Sequence, residues 1–310
     1  MIYFPREKIN APGSGKCEPL NSKVKMVASM AIWGSMGLVI RWISLPTAAI
    51  ALTRGALGAL FLFLLVTLAG RRVAWRAVRD NLGLLIVSGA LLGANWIFLF
   101  EAYRRTTIQL ATLSYYLAPV LILAASPLVL KERLTALKAA CVLAALGGMA
   151  LVSGVGTGGA GNPVGILFGL GAAVCYAGLT LTNKFLKGVS PMEATMVQLA
   201  VSAAALLPYA LFSGTLSLSG AGPKDALLLI ILGVVHTGLA FFWFFSSVRD
   251  LKAQTVAMFS YIDPAMAILL SALLLRERLD VPQILGACLI LGAALVGELP
   301  FPRHSRTRAA

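Results

Sequence analysis

Two full charges stand deep inside long apolar runs of this sequence: Arg54, in IALTRGALG, and Asp263, in YIDPAMA. The other acidic residues fall at the ends of such runs or in the tails. Burying one charge in hydrocarbon costs ~2.5–3.5 kcal/mol or more, so each must face a cavity or a partner. A guanidinium in a cavity can anchor the carboxylate of a small solute. A carboxylate there can hold an ammonium group or exchange a proton. The competing reading is that the two neutralise each other or lean on helix dipoles. His236 lies in a third apolar run, at a depth similar to that of Asp263 when counted along the helices. An imidazole titrates near neutral pH, so this pair can relay protons. A hydrogen-bonded packing role is the alternative.

A polar stripe accompanies these charges. Gln109, Thr112, Tyr116 and Pro119 are spaced 3, 4 and 3 apart and share one helix face. Gln254, Ala257, Tyr261 and Pro264 repeat the pattern. Such a face on an apolar helix turns inward, to line a cavity or to pack on other helices. Each proline removes one backbone hydrogen bond and frees a carbonyl to bind solute or to hinge. Trp33 and Tyr176 also correspond between the two halves, as do Asn95 and Ala240. Aromatics with a polar edge suit an amphipathic small molecule. The substrate-binding candidates are therefore Trp33, Arg54, Asn95, Gln109, Tyr116, Tyr176, Gln254 and Tyr261, with His236 and Asp263 as proton-coupling candidates.

These residues need a scaffold, and the composition says which kind. The chain has 310 residues, 59% hydrophobic and 12% charged, with a mean hydropathy of +0.87. A soluble domain carries about 25% charged residues. The balance excludes a soluble enzyme, a disordered regulator and a secreted disulfide scaffold. Crossing the ~30 Å hydrocarbon core takes about 20 apolar residues. Ten runs meet that need: 25–43, 46–69, 82–102, 106–130, 135–153, 163–185, 192–213, 225–248, 253–275 and 280–298. The expectation is an all-α membrane protein of ten transmembrane helices. Residues 1–24 and 299–310 read as polar, basic tails, and 154–162 as a Gly-rich linker between units 25–153 and 163–298. The net charge of +14 fits membrane orientation better than nucleic acid. With the N-terminus inside, nineteen Lys and Arg fall on the cytoplasmic side and six outside. Both termini are expected in the cytoplasm, with the chain in the cell (inner) membrane. Cys17, Cys141, Cys175 and Cys288 are scattered and support neither a disulfide framework nor a metal site.

The halves repeat. At a shift of 145 residues, Gly93 meets Gly238, Arg104 meets Arg249, Gln109 meets Gln254, Tyr116 meets Tyr261 and Pro119 meets Pro264. Lys131-Glu132-Arg133-Leu134 meets Arg276-Glu277-Arg278-Leu279. Near the start of each half the shift is 143, pairing Trp33 with Tyr176. Five segments is an odd number, so the second half enters the membrane from the opposite side. An inverted repeat of this kind is a transporter signature, because two near-equivalent halves can rock about a midplane site. Asp263 and His236 break the symmetry: Ala118 and Leu91 stand in their places.

The stretch 101–148, EAYRRTTIQLATLSYYLAPVLILAASPLVLKERLTALKAACVLAALGG, resembles the end of an EamA domain, and so does 246–293. The shared features are a proline in the fourth helix, an apolar run closed by a Glu-Arg-Leu turn, and a helix that follows. Two such domains in tandem are what the drug/metabolite transporter superfamily shows. The resemblance implies a secondary transporter, exporting amino acids or related small metabolites; the alternative is a multidrug or other metabolite carrier. An intramembrane enzyme would need clustered His, Asp or Glu at one interface, and a channel a charged or carbonyl-rich pore. Neither pattern is present. The implied partners are a small-molecule substrate, the lipid bilayer and, through Asp263, protons; no nucleic acid, cofactor or metal is implied, and the oligomeric state is open.

Gly154-Val-Gly-Thr-Gly-Gly159 matches GxGxxG, but it follows a membrane helix rather than a strand and reads as linker. Gly89-x-x-x-Gly93 and Gly165-x-x-x-Gly169 read as close helix contacts. Glu132 and Glu277 read as turn and cap groups on opposite membrane faces. The topology makes a direct prediction. Cys17, and a cysteine placed near Arg303, should label with an impermeant reagent only from the cytoplasmic side, and a cysteine in 155–161 only from outside. Outside labelling of the N-terminal tail would overturn the arrangement.

Overall fold

Backbone N–H and C=O groups find no water in hydrocarbon, so a chain this apolar must satisfy them within helices. The computed structural model describes residues 19–70, 72–106, 108–132, 134–152, 162–212, 214, 221–275 and 281–296, and among these there is no strand. In chain order the helices begin with α1 (Pro19–Gly34), α2 (Met36–Arg41), α3 (Thr47–Leu68), α4 (Trp75–Asp80) and α5 (Leu82–Arg105). Then come α6 (Ile108–Tyr115), α7 (Ala118–Val129), α8 (Ala136–Val152), α9 (Pro163–Asn183) and α10 (Pro191–Phe212). The last are α11 (Pro223–Ile231), a π-helix over Leu232–Leu239, α12 (Ala240–Asp250), α13 (Ala253–Phe259), α14 (Ile262–Leu275) and α15 (Val281–Val296).

Seven stretches among the described residues are long and apolar enough to cross a membrane: Asn21–Ile40, Thr47–Leu68, Leu82–Arg105, Ala111–Val129, Pro163–Asn183, Pro191–Phe212 and Pro223–Asp250. The runs expected at 135–153 and 280–298 are the shorter helices α8 and α15, of 17 and 16 residues. The first helix starts at Pro19 rather than at 25; proline suits a first helical turn, where its missing N–H has no partner to lose. The linker residues 154–161, residues 1–18 and 299–310 of the tails, and the Arg276–Arg278 turn lie outside the described residues.

Three expected continuous spans are interrupted. The run at 25–43 breaks at Ser35, between α1 and α2. The run at 106–130 breaks at Tyr116-Leu117, and that at 253–275 at Ser260-Tyr261. Proline explains the last two. Pro119 and Pro264 stand in the first turns of α7 and α14, where a missing N–H is tolerated and the clash with the carbonyl four residues back ends the preceding helix.

Helix packing is close. α5 lies on α9 and α10, α3 on α10 and the π-helix, α1 on α12 and α14, α9 on α6 and α7, and α8 on α15. Gly89 and Gly93 make the α5–α10 contact: a Cβ at either would fall 2.6 Å from Val201 Cβ or 3.0 Å from Ala205 Cβ. This is the close approach their spacing implied.

Polar bonds sort the loops into two ends. At one, Ser22 Oγ donates to Asp250 at 2.7 Å, Glu193 accepts from Ala74 N at 2.7 Å, and Asn81 bonds Lys187 through both its oxygen and its nitrogen. Lys184 donates to the Leu251 carbonyl, and Arg249 to that of Val189. Glu132 holds the first N–H of α13, with both carboxylate oxygens 3.1 Å from Ala253 N, and so caps a helix of the other half. At the opposite end, Asp225 accepts from Ser44 N and Gly222 N, and Glu101 accepts from Tyr209 and pairs with Arg104 and Arg105.

One glycine tests the packing. A Cβ on Gly34 would lie 2.7 Å from the Asp263 carbonyl oxygen and 2.7 Å from Met266 Cβ, whereas one on Gly37 meets nothing within 4 Å. Gly34→Ala should therefore destabilise the protein by roughly 1–3 kcal/mol through overpacking. Gly37→Ala should leave stability unchanged or slightly raised. Thermal unfolding of the two variants in detergent checks this, and equal midpoints would contradict the α1–α14 contact.

Candidate functional site

The α1–α2 break opens a space that the rings of four other helices surround. Between α1, α2, α3, α5, α6, α9, α12 and α14 lies a cavity of about 530 Å3. Trp33, Tyr176 and Phe241 form its floor in the middle of the bundle, and Ile40, Thr47 and Tyr103 carry its wall to the end that holds Ser44 and Glu101. The opposite direction is filled by buried Phe244, Phe245, Val248 and Met258. A water-sized extension, about 20 Å3, runs on between Tyr116, Tyr176, Ser260 and Asp263.

Asp263 sits in the first turn of α14, where the helix break turns the positive end of a helix dipole toward its carboxylate. Tyr116 Oη donates to Asp263 Oδ2 at 2.9 Å. Tyr261 Oη donates to the Tyr116 carbonyl at 2.9 Å, and the two rings stack at 6.2 Å with 27° between planes. The two breaks are thus bolted together, and each contributes a tyrosine to the bolt.

Arg54 projects from the middle of α3 and is buried. Its guanidinium carbon lies 4.3 Å from the centroid of the Trp96 ring, and Nη1 donates to Met36 Sδ at 2.7 Å. Arg54 Nε has no hydrogen-bond partner. The guanidinium and the Asp263 carboxylate line one cavity and form no ion pair with each other. The reading that they neutralise one another is therefore set aside. Trp33 is fixed by its Nε1–H, which donates to the His236 carbonyl at 2.9 Å, and by Phe241 and Phe244 at 4.7 and 5.1 Å.

Of the residues singled out from sequence, Trp33, Arg54, Asn95, Tyr116, Tyr176 and Asp263 lie on the cavity wall. Tyr261 and Gln254 do not: Tyr261 is wholly buried behind Tyr116, and Gln254 is buried within α13. The side chain of Gln109 lies outside the described residues. Nor is His236 brought to Asp263. It sits in the π-helix, with Nε2 3.0 Å from Ser35 Oγ and Nδ1 3.5 Å from the Ile231 carbonyl, so its ring is spent on the α1–α2 break. Trp96, Tyr103, Tyr115 and Met36 line the cavity without having been singled out. For Trp96 and Tyr115 a signal existed: the 145-residue shift pairs Trp96 with Phe241 and Tyr115 with Ser260, and all four stand at the cavity or its extension. Asn95 Nδ2 donates to the Ala172 carbonyl at 2.7 Å, so that residue also ties α5 to α9. Among the described residues no group of His, Cys, Asp or Glu could hold a metal ion.

Long apolar helices around a cavity that holds an unmatched cation and a carboxylate define a multi-pass membrane protein with a solute-sized interior. The EamA-like transporter family matches the chain twice, over residues 24–154 and 163–297, and the chain belongs to that family. It is a membrane transporter of the drug/metabolite superfamily. It is similar to "Uncharacterized transporter YxxF" of Bacillus subtilis (strain 168), 29% identical over 88% of each chain. An uncharacterized transporter of Archaeoglobus fulgidus is 29% identical over 87% of this chain and 94% of its own. A solved crystal structure superposes with a TM-score of 0.79 over 90% of this chain and 96% of that one, at 21% identity, a likeness of fold.

The two tyrosines should separate by experiment. Tyr261→Phe leaves the buried Tyr116 carbonyl without its donor and should cost ~1–2 kcal/mol or less of stability, with solute binding retained. Tyr116→Phe frees Asp263 and should impair transport more than it lowers the unfolding midpoint. Proportional loss of folded protein and activity in both variants would make both hydroxyls structural only.

Proposed function

We propose that this chain is a secondary transporter of ten membrane helices that exports amino acids or related small metabolites by alternating access. The observation that carries the substrate reading is the pairing of Arg54 and Asp263 on one aromatic-walled cavity without an ion pair between them. A zwitterion supplies an opposite charge to each: its carboxylate meets Arg54, and its ammonium meets Asp263. Trp33, Tyr116 and Tyr176 offer flat apolar faces with polar edges to the rest of the solute. Desolvation in the cavity strengthens both charge contacts relative to water.

The two-fold reading is supported by the packing. Exchanging the halves turns α5 on α9 into α12 on α1, α7 on α9 into α14 on α1, and α3 on the π-helix into α10 on α5. The α3–α10 and α8–α15 contacts turn into themselves. Orientation follows the cations. Lys23, Lys25, Arg72, Arg76, Arg79, Lys184, Lys187 and Lys252 fall near the end that holds Glu132 and Asp250, which we take as cytoplasmic. Both termini are then inside, and the cavity faces outward. Asp263 is the group that exchanges a proton during the cycle, with the Tyr116 hydroxyl hydrogen-bonded to its carboxylate. Protonation of Asp263 and binding of the ammonium exclude each other at one carboxylate, which couples the two movements.

Counterflow of radiolabelled amino acids in proteoliposomes tests the proposal. Wild-type protein should show it, and Arg54→Gln should abolish it. Asp263→Asn should abolish uptake driven by a pH gradient and weaken exchange of labelled for unlabelled solute without abolishing it at saturating solute, because exchange moves no net proton although the ammonium loses its carboxylate. No counterflow with any amino acid, alongside counterflow of an apolar drug-like cation, would assign the chain to the multidrug carriers instead.

A further inference from the structure

Arg54 is held by two neutral side chains and by no carboxylate. It is 7% exposed, and its guanidinium lies over the Trp96 face at 4.3 Å with Nη1 on Met36 Sδ at 2.7 Å. Nε is buried and unpartnered. The carboxylate on the same cavity, Asp263, is engaged by Tyr116 instead.

The geometry points to Trp96 and Met36 as positioning residues that set the site's preference for carboxylate-bearing solutes. The inference rests on the reading that Arg54 meets the substrate carboxylate. An indole face stabilises a desolvated cation through its quadrupole and leaves the N–H edge of the guanidinium unused. A thioether is a weak acceptor, which a carboxylate readily displaces. Both partners keep the cation in place between turnovers and then yield its edge to the solute. A resident Asp or Glu would do the reverse, forming a bidentate pair that the solute would have to break. The surroundings hold both partners in register. Trp96 sets its ring edge-on to Phe241 at 6.1 Å, and the absent side chain of Gly55, next to Arg54 on α3, leaves room against that ring, 3.4 Å from where a Cβ would stand. Met36 is the first residue after the α1–α2 break, and the Ser35 hydroxyl, 3.0 Å from His236 Nε2, ties that break to the π-helix.

Binding of L-phenylalanine and of L-phenylalaninamide to the full-length protein in nanodiscs tests the inference. The pair differs by the charge that Arg54 would meet. Wild type should prefer the acid. Trp96→Leu should weaken the acid about ten-fold and leave the amide unchanged, while Trp96→Phe, which keeps a π face, should retain most of the preference. Met36→Glu should satisfy Arg54 internally and erase the preference by a second route. A Trp96 that merely packs would weaken both ligands alike, and an acid-to-amide ratio that survives Trp96→Leu and Met36→Glu overturns the inference alone. A wild-type protein without any preference, binding of neither ligand included, overturns the Arg54 reading and this inference with it.

Discussion

A charge inside a hydrocarbon-embedded bundle must have polar or polarisable company, and Arg54 and Asp263 meet that demand in different ways. Asp263 takes a helix start and a tyrosine hydroxyl. Arg54 takes an indole face and a thioether. Each solution needs something that a straight helix cannot provide. Asp263 needs the break before α14, and Arg54 needs Met36 delivered from the break after α1. The interruptions are thus what make two buried charges tolerable without pairing them, and the cavity between them follows.

The breaks are also where the halves meet. Tyr116 belongs to one interruption and Tyr261 to the other, and the hydroxyl of Tyr261 binds a carbonyl at the Tyr116 break. Glu132, from the loop of the first half, closes the start of α13 in the second. Neither half is capped or bolted by its own residues at these points. Movement of one half against the other must therefore exchange these bonds for others.

Much of this was legible in the residues. The apolar runs located the helices, the prolines at 119 and 264 marked two of the three breaks, and the glycine spacing of α5 implied a close helix contact, whose partner, α10, only the structure supplies. The break at Ser35 carries no proline and left no trace. The stripes identified an inward face but could not separate cavity from packing: Tyr116 reached the cavity while Tyr261, its counterpart, is buried behind it. Met36 was hidden for a related reason, and Trp96 had only its repeat partner Phe241 to mark it. An aromatic or a methionine in an apolar helix has no polar period to fix the helix's rotation, so its direction becomes known only when the neighbours are placed.

The π-helix accounts for a difference in spacing between the two halves. Gly89 and Gly93 of α5 stand four apart; Gly233 and Gly238, which press against Leu57 and Phe61 of α3, stand five apart. The shift between the halves is accordingly 144 at the first glycine and 145 at the second. The second half holds one residue more between its glycines, and the wider turn absorbs it, since a π-turn returns to the same face after about one residue more than an α-turn. Both glycines still face their neighbour, and the helix beyond keeps its register with Phe241 and Phe244. The extra residue falls in the stretch that contains His236. One extra residue, which in an α-helix would turn the rest of the span by about 100°, is thereby confined to one turn.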